Sequence, residues 1–288
     1  MEIIHTSNSR EPAKSLAKEL SFSAFSANVR RFANGEIVVS LPKSFREAIV
    51  LSSPVKNEDW IELFLLLDAL REAEKLILCL PYMGYSRQDK LIGNESFGAG
   101  LFPRLLDTFN ISRCIILENH CEPLIRTPTV SLSATGIFET NIMSKYSADR
   151  IVVVSPDIGG AYRANEVAKA LRCGFAICNK ARDVFGELKK TEVIGDVRDK
   201  ICILIDDIVD TGATLCHAAD ALAKSGCRGT EARVVHGVLS PGSIARLEKS
   251  DIIEIVITDS ICGNETLPPK FKKISVASLM ADAIRCML

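Results

Sequence analysis

Ile203-Leu204-Ile205-Asp206-Asp207-Ile208-Val209-Asp210-Thr211-Gly212-Ala213-Thr214-Leu215 is the stretch on which the fold turns. The apolar run Ile201 to Ile205 reads as a buried strand that ends at two adjacent acids, Asp206 and Asp207. A short loop of small and polar residues then opens a helix, Ala213 to Lys224, with Gly226 where a helix C-terminal glycine belongs. In open α/β sheets, ligands sit beyond the carboxyl ends of the strands. Small residues, two hydroxyls and the N–H groups of a helix start make this loop a good cradle for a phosphate. The two acids can accept hydrogen bonds from vicinal ribose hydroxyls or help hold a metal. An ordinary helix cap by Asp210 or Thr211 accounts for one acid or one threonine. It does not account for three acids and two threonines around a glycine.

Working outward, the same pattern recurs. Lys75 to Leu80, Arg113 to Leu117, Ile151 to Val154, Phe175 to Cys178 and Ala232 to His236 read as buried strands. Between them lie amphipathic segments, Trp60 to Arg71, Ala99 to Phe109 and Ala161 to Leu171. Strands alternating with helices of this length predict an α/β fold of mostly parallel sheets flanked by helices. At 288 residues the chain suits two domains of about 140. The turn-rich stretch Pro123 to Gly136 places a boundary near Glu139, giving domains 1–139 and 140–275.

Composition narrows the class. Apolar residues make up 47% and charged residues 25%, which is globular. A net charge of −1 lacks the basic excess of a general nucleic-acid or acidic-membrane binder, so neither partner is expected. No apolar run approaches the roughly 20 residues of a membrane span, and an acid near the start speaks against a secretory signal. Ten cysteines include no Cys-x-x-Cys pair, and Cys79 and Cys202 sit inside apolar runs. They read as reduced, buried thiols of a cytoplasmic protein rather than a zinc or disulfide framework. No Gly-x-x-x-x-Gly-Lys phosphate loop exists: Gly93 and Gly98 have the spacing, but Ala99 follows.

Four further segments carry polar chemistry at strand ends or turns. Pro81-Tyr82-Met83-Gly84-Tyr85-Ser86-Arg87-Gln88-Asp89-Lys90 follows a strand and offers a guanidinium suited to a polyphosphate. Arg31-Phe32-Ala33-Asn34-Gly35-Glu36 has a tight-turn dipeptide and an aromatic ring able to stack on a base. Val154-Ser155-Pro156-Asp157-Ile158-Gly159-Gly160-Ala161 places glycines after a strand, where a ligand can approach the backbone. Asn179-Lys180-Ala181-Arg182 closes another strand with two alternating cations, which an extended chain presents on one face.

Asp206 to Thr214 resembles the phosphoribosyl-pyrophosphate-binding motif shared by type I phosphoribosyltransferases and ribose-phosphate pyrophosphokinases. The other segments resemble the pyrophosphokinases in particular, as do Glu192 to Val197, His236 to Ser240 and Ser275 to Arg285. The likeness runs from Ile3 to Arg285. It implies two tandem type I phosphoribosyltransferase-like domains, with the C-terminal helix 276–288 packing back on the first. It also implies transfer of a diphosphoryl group from ATP to the anomeric hydroxyl of ribose 5-phosphate. Lys180 and Arg182 become the catalytic residues. Phe32, Asn34, Gly35, Glu36, Arg87 and Gln88 line the ATP site, with the hairpin supplied to a neighbouring subunit. Asp206, Asp207, Asp210, Thr211, Gly212, Ala213 and Thr214 hold ribose 5-phosphate. His120 and Asp157 serve Mg2+, the expected cofactor.

Three segments depart from the family pattern. Glu118-Asn119 stands where Asp-Leu is common before His120, Cys121 to Ile125 replaces a Gln-Ile-Gln-Gly-Phe-Phe segment, and Asn94 to Phe97 replaces a basic Ser-Arg-Ala-Pro stretch. Ser44 and Arg46 match regulatory positions, but the rest of that site looks lost. Weak or absent phosphate activation and ADP allostery are expected, with a dimer as well as a hexamer open. Two rivals are a transferase that consumes phosphoribosyl pyrophosphate and a catalytically silent subunit. The first does not need the Arg87-Gln88 and Phe32 to Glu36 features, and intact Lys180 and Arg182 speak against the second.

Overall fold

The computed structural model describes residues 1–122, 124–182, 188–263 and 266–288, and the side chains of residues 180–190 lie outside the described set. The chain divides into two units: Met1–Ser133 with Asp259–Gly263 and Ser275–Leu288, and Ala134–Thr258 with Asn264–Ile274.

The first unit runs β1 (Glu2–His5), α1 (Arg10–Leu20), β2 (Ala24–Ser26), β3 (Asn28–Arg31), β4 (Ile37–Ser40), β5 (Glu47–Leu51), α2 (Asn57–Ala69), β6 (Lys75–Leu80), α3 (Gly98–Leu106), β7 (Arg113–Leu117) and β8 (Thr129–Leu132). Six strands form a parallel sheet in the order β2-β1-β5-β6-β7-β8, while β3 and β4 pair as a separate antiparallel hairpin. Strand β6 reads Lys-Leu-Ile-Leu-Cys-Leu, and every residue after Lys75 is buried. Such a run, apolar on both faces, belongs to a central strand covered from both sides. Helix α2 starts where the Asp59 carboxylate accepts the backbone N–H groups of Val55 and Lys56, at 2.9 and 2.7 Å. Its Trp60 is buried and lies 4.5 Å from the ring of Phe102 on α3. Each large side chain buried this way stabilises the unit by roughly 1.5–3 kcal/mol.

The second unit continues with α4 (Thr135–Met143), β9 (Ile151–Ser155), α5 (Ala161–Leu171), β10 (Gly174–Arg182), β11 (Leu188–Ile194), β12 (Ile201–Val209), α6 (Ala213–Lys224), β13 (Gly229–Gly237), α7 (Ser243–Lys249), β14 (Ile252–Thr258) and β15 (Phe271–Ile274). Its seven-stranded sheet has the order β11-β10-β9-β12-β13-β14-β15, parallel throughout except for the antiparallel β10–β11 edge pair. The core joins Val152, Val154, Cys202 and Leu204 to Leu215 and Leu222 of α6. The last helix, α8 (Ala277–Arg285), belongs to the first unit, where Arg285 donates to the Glu19 carbonyl of α1 at 2.6 Å.

The α/β reading from strand–helix alternation holds in both units. Several boundaries differ. Strand β12 does not stop at Ile205: it continues through both acids to Val209, because Asp206, Ile208 and Val209 stay in register with Val234, His236 and Gly237 of β13. Strand β10 likewise runs past Cys178 to Arg182, extended by pairing with β11. Glu139 lies inside α4. Among the described residues, no helix is long and apolar enough to cross a membrane. All ten cysteines are thiols, and burial raises those of Cys79, Cys114 and Cys202, Cys114 to about 12.

Candidate active site

In the second unit, β9 leads through α5 to β10 on one side, and β12 leads through α6 to β13 on the other. The neighbours β9 and β12 therefore flank the point where the strand order reverses, which is where open α/β sheets bind ligands. Both acidic loops of the sequence open at this point. A Cβ built on Gly160, after β9, would lie 3.1 Å from Ser155 Oγ and 3.9 Å from Asp206 Oδ1 of β12. The Asp157 carboxylate accepts the Gly160 N–H at 3.2 Å, which folds this loop back over the strand end.

Asp206 is the electrostatic centre. Its carboxyl keeps some open surface, yet burial first, and then the charges of Asp207 and Asp157, push it well above the ordinary carboxylate range. Its Oδ1 accepts the Asp207 N–H at 3.0 Å. The buried Asp207 carboxylate faces Arg163 of α5, with Nη2 3.3 Å from Oδ2.

The loop into α6 is held from behind. Gly212 has φ +76°, and a methyl group there would sit 2.7 Å from Leu247 Cγ. The Ser240 hydroxyl donates to the Asp210 carboxylate, and the Ser240 N–H donates to the Asp210 carbonyl at 3.2 Å. Arg246 donates to the Thr211 carbonyl at 2.7 Å. These partners leave Thr211 exposed and Thr214 half-buried at the helix start. The result is a pre-shaped turn whose N–H groups suit an anion.

The residues assigned to ATP come from two places in the first unit. The tip between β3 and β4 carries Phe32, Asn34, Gly35 and Glu36, all exposed, with Gly35 at φ +94° and its carbonyl accepting from Arg31 at 2.9 Å. Arg87 and Gln88 are exposed in the loop between β6 and α3, where the Gln88 carbonyl accepts the Ala99 N–H at 3.1 Å. The first unit has its own strand-order reversal, between β1 and β5, but the hydroxyls there are buried and bonded to one another. Thr6 donates to Ser52 at 3.0 Å, and Ser53 donates to the Ser260 carbonyl at 2.6 Å.

The backbones of Lys180 and Arg182 lie in β10, opposite Thr191 and Leu188 of β11, with a register shift between Ala181 and Arg182. Their side chains lie outside the described residues. His120 is exposed just beyond β7, after Glu118 with the strained φ of +39°.

Arg163, Arg246 and Leu247 escape a sequence reading. Each works through a partner far along the chain, and only the order of crossovers brings them together.

Family models match at both ends of the chain: the N-terminal domain of ribose phosphate pyrophosphokinase over residues 1–109, and the phosphoribosyl synthetase-associated domain over 184–288. The ribose-phosphate pyrophosphokinase of Agrobacterium fabrum is 37% identical over 296 residues, covering 99% of this chain and 96% of the relative. The chain belongs to the ribose-phosphate pyrophosphokinase family. The Caulobacter vibrioides ribose-phosphate pyrophosphokinase is 33% identical over the same 99% of the chain. The crystal structure of phosphoribosylpyrophosphate synthetase from Mycobacterium smegmatis superposes with a TM-score of 0.92 at 31% identity, covering 99% of this chain and 98% of that one. Both units thus take the type I phosphoribosyltransferase-like fold of that family.

Proposed function

We propose that this chain transfers the diphosphoryl group of ATP to the anomeric hydroxyl of ribose 5-phosphate, giving 5-phosphoribosyl 1-diphosphate and AMP for nucleotide biosynthesis. The observation that carries this is the β9–β12 crevice, where a phosphate-shaped helix start adjoins an unusually basic carboxylate.

In this reading the turn from Asp210 to Thr214 takes the 5-phosphate, with its N–H groups and the Thr211 and Thr214 hydroxyls as donors. Asp206 accepts from the ribose hydroxyls, which turns its buried charge from a burden into a contact. The sugar is thereby fixed with its anomeric hydroxyl facing the β-phosphorus of ATP, and positioning of this kind supplies much of the rate in phosphoryl transfer. Charge builds on the transferred group and on the departing AMP oxygen. Lys180 and Arg182 stabilise it, a role worth about 3 kcal/mol, or some hundredfold, for one such group. Phe32 stacks on the adenine while Asn34, Gly35 and Glu36 border it, and Arg87 and Gln88 hold the nucleotide's phosphates and polar edges. The exposed hairpin serves a neighbouring copy, so the chain self-associates.

The donor set suits a hard divalent cation. Among the described residues the buried Asn119 Oδ1, next to His120 in the chain, has no hydrogen-bond partner, and in the second unit Asp157 raises the proton affinity of Asp206. Oxygen donors of this kind favour Mg2+. Among the described residues no cluster of three or more His, Cys, Asp or Glu side chains forms a metal site. Asp157 of the second unit would hold Mg2+ with phosphate oxygens and water, and His120 is the imidazole that the family resemblance assigns to the metal. Mg2+ supplies charge neutralisation across the ATP phosphates when bound. The two units act as two phosphoribosyltransferase-like domains in the cytoplasm, where thiols stay reduced.

The test is AMP release from ATP and Mg2+, with and without ribose 5-phosphate, beside Lys180→Ala. AMP that requires the sugar phosphate and disappears in the variant supports the assignment. AMP release unaffected by the sugar phosphate would overturn it.

A further inference from the structure

The adjacent acids Asp206 and Asp207 occupy different surroundings. Residues alternate across a strand, and no register shift interrupts β12 at this point. Cys202 and Leu204, in step with Asp206, pack in the core that α6 covers. Asp207 is out of step with them and meets Arg163 on α5. The two crossovers leave the sheet in opposite directions, so right-handed connections put α5 and α6 on opposite faces. The Asp207 carboxylate thus packs toward α5 and its Arg163, while the two carboxyls stay close enough to act on one another.

The surroundings also differ in charge. Asp207 is 6% exposed, receives the Ile208 N–H at 2.9 Å, and has the Arg163 guanidinium, itself 18% exposed, at 3.3 Å. The same guanidinium reaches the gap between the loops: a Cβ on Gly160 would stand 3.8 Å from Arg163 Nη1 and 3.9 Å from Asp206 Oδ1. Taking a facing cation away from a buried carboxylate raises the cost of its charge, here beside a second carboxylate.

We propose that Arg163 is a positioning residue for the sugar-phosphate site: it neutralises Asp207 and thereby leaves Asp206 to face the ribose. Asp207 then acts through Asp206 and not on the sugar, contrary to the equal roles that the sequence implies for the pair. This rests on the ribose 5-phosphate reading of the crevice.

The arrangement makes a suppressor prediction. Ribose 5-phosphate is titrated calorimetrically into the full chain with Mg2+ and an ATP analogue whose α,β-bridge is carbon, so no transfer occurs. Arg163→Met should weaken binding at least tenfold, and Arg163→Lys, which keeps the charge, less than Arg163→Met. Adding Asp207→Asn to Arg163→Met removes the charge that Arg163 faced and should recover at least threefold. In steady-state assays the KM for ribose 5-phosphate should rise in Arg163→Met while that for ATP stays within twofold. Thermal unfolding of each variant separates misfolding from lost affinity. A double variant weaker than Arg163→Met, or Asp207→Asn alone losing as much affinity as Asp206→Asn, would overturn the proposal. Failure of the unaltered chain to bind ribose 5-phosphate would instead overturn the site reading beneath it.

Discussion

Leu247 fills the space that a side chain on Gly212 would need, with its Cγ 2.7 Å from the place of a Cβ. Gly212 also holds φ +76°, a region that non-glycine residues enter with strain. Two independent reasons thus fix glycine at the start of α6. Gly212→Ala should weaken ribose 5-phosphate binding at least tenfold and lower stability by roughly 1–3 kcal/mol, the range for strain and overpacking. Calorimetric titration and denaturant unfolding check the two effects separately.

Asp206 makes stability depend on pH in a defined direction. Its carboxyl is raised in the folded chain, chiefly by burial and next by the charge of Asp207. A raised carboxyl contributes stability that is fully present below the ordinary carboxylate pKa and is lost as pH rises through the folded value. Neutral pH lies above the ordinary carboxylate range, where the unliganded chain is already losing that contribution. Asp206→Asn should therefore be more stable than the unaltered chain at pH 7, with the advantage shrinking toward acid pH, while ribose 5-phosphate turnover collapses. Melting curves over roughly pH 4–8 supply the test.

The hairpin tip offers a separable effect. Phe32 is 52% exposed, so truncating it removes little from the core of its own unit. Phe32→Ala should raise the KM for ATP about tenfold, the scale of a lost stacking contact of ~1–1.5 kcal/mol, with unfolding unchanged. Mixing this variant with Lys180→Ala, each inactive or weak alone, should restore part of the activity if the hairpin completes a neighbour's site.

Regulation should be muted. The Arg46 guanidinium lies 2.7 Å from the Glu74 carboxylate on an exposed surface, so a cation at a position matched to family regulation already has an acidic partner. Initial rates should change less than twofold across millimolar phosphate and show only competitive inhibition by ADP. Sigmoidal ADP inhibition would contradict this.

The sequence carries some elements openly and hides others. Lys75 to Leu80 is legible because a run apolar on both faces has few alternatives to a central strand. The loop from Asp210 to Thr214 is legible because small residues and hydroxyls at a helix start are what an anion-binding turn requires. The continuation of β12 through Asp206 and Asp207 is not, since two acids ordinarily end a strand and only pairing with β13 carries it onward. The β10–β11 edge pair is hidden for a similar reason: Asn179 to Arg182 is polar, and its strand character comes from its partner. Arg163 is the deepest omission. Nothing in its local sequence marks it, and its meaning arises only when the crossovers set α5 beside Asp207.

In the proposed reaction the diphosphoryl group moves as one unit. Phosphorus NMR of ATP, Mg2+ and ribose 5-phosphate with the full chain follows it most directly. AMP and a sugar 1-diphosphate should appear in equal amounts, with no ADP. Formation of ADP with a sugar bisphosphate would place the attack on the γ-phosphorus and contradict it.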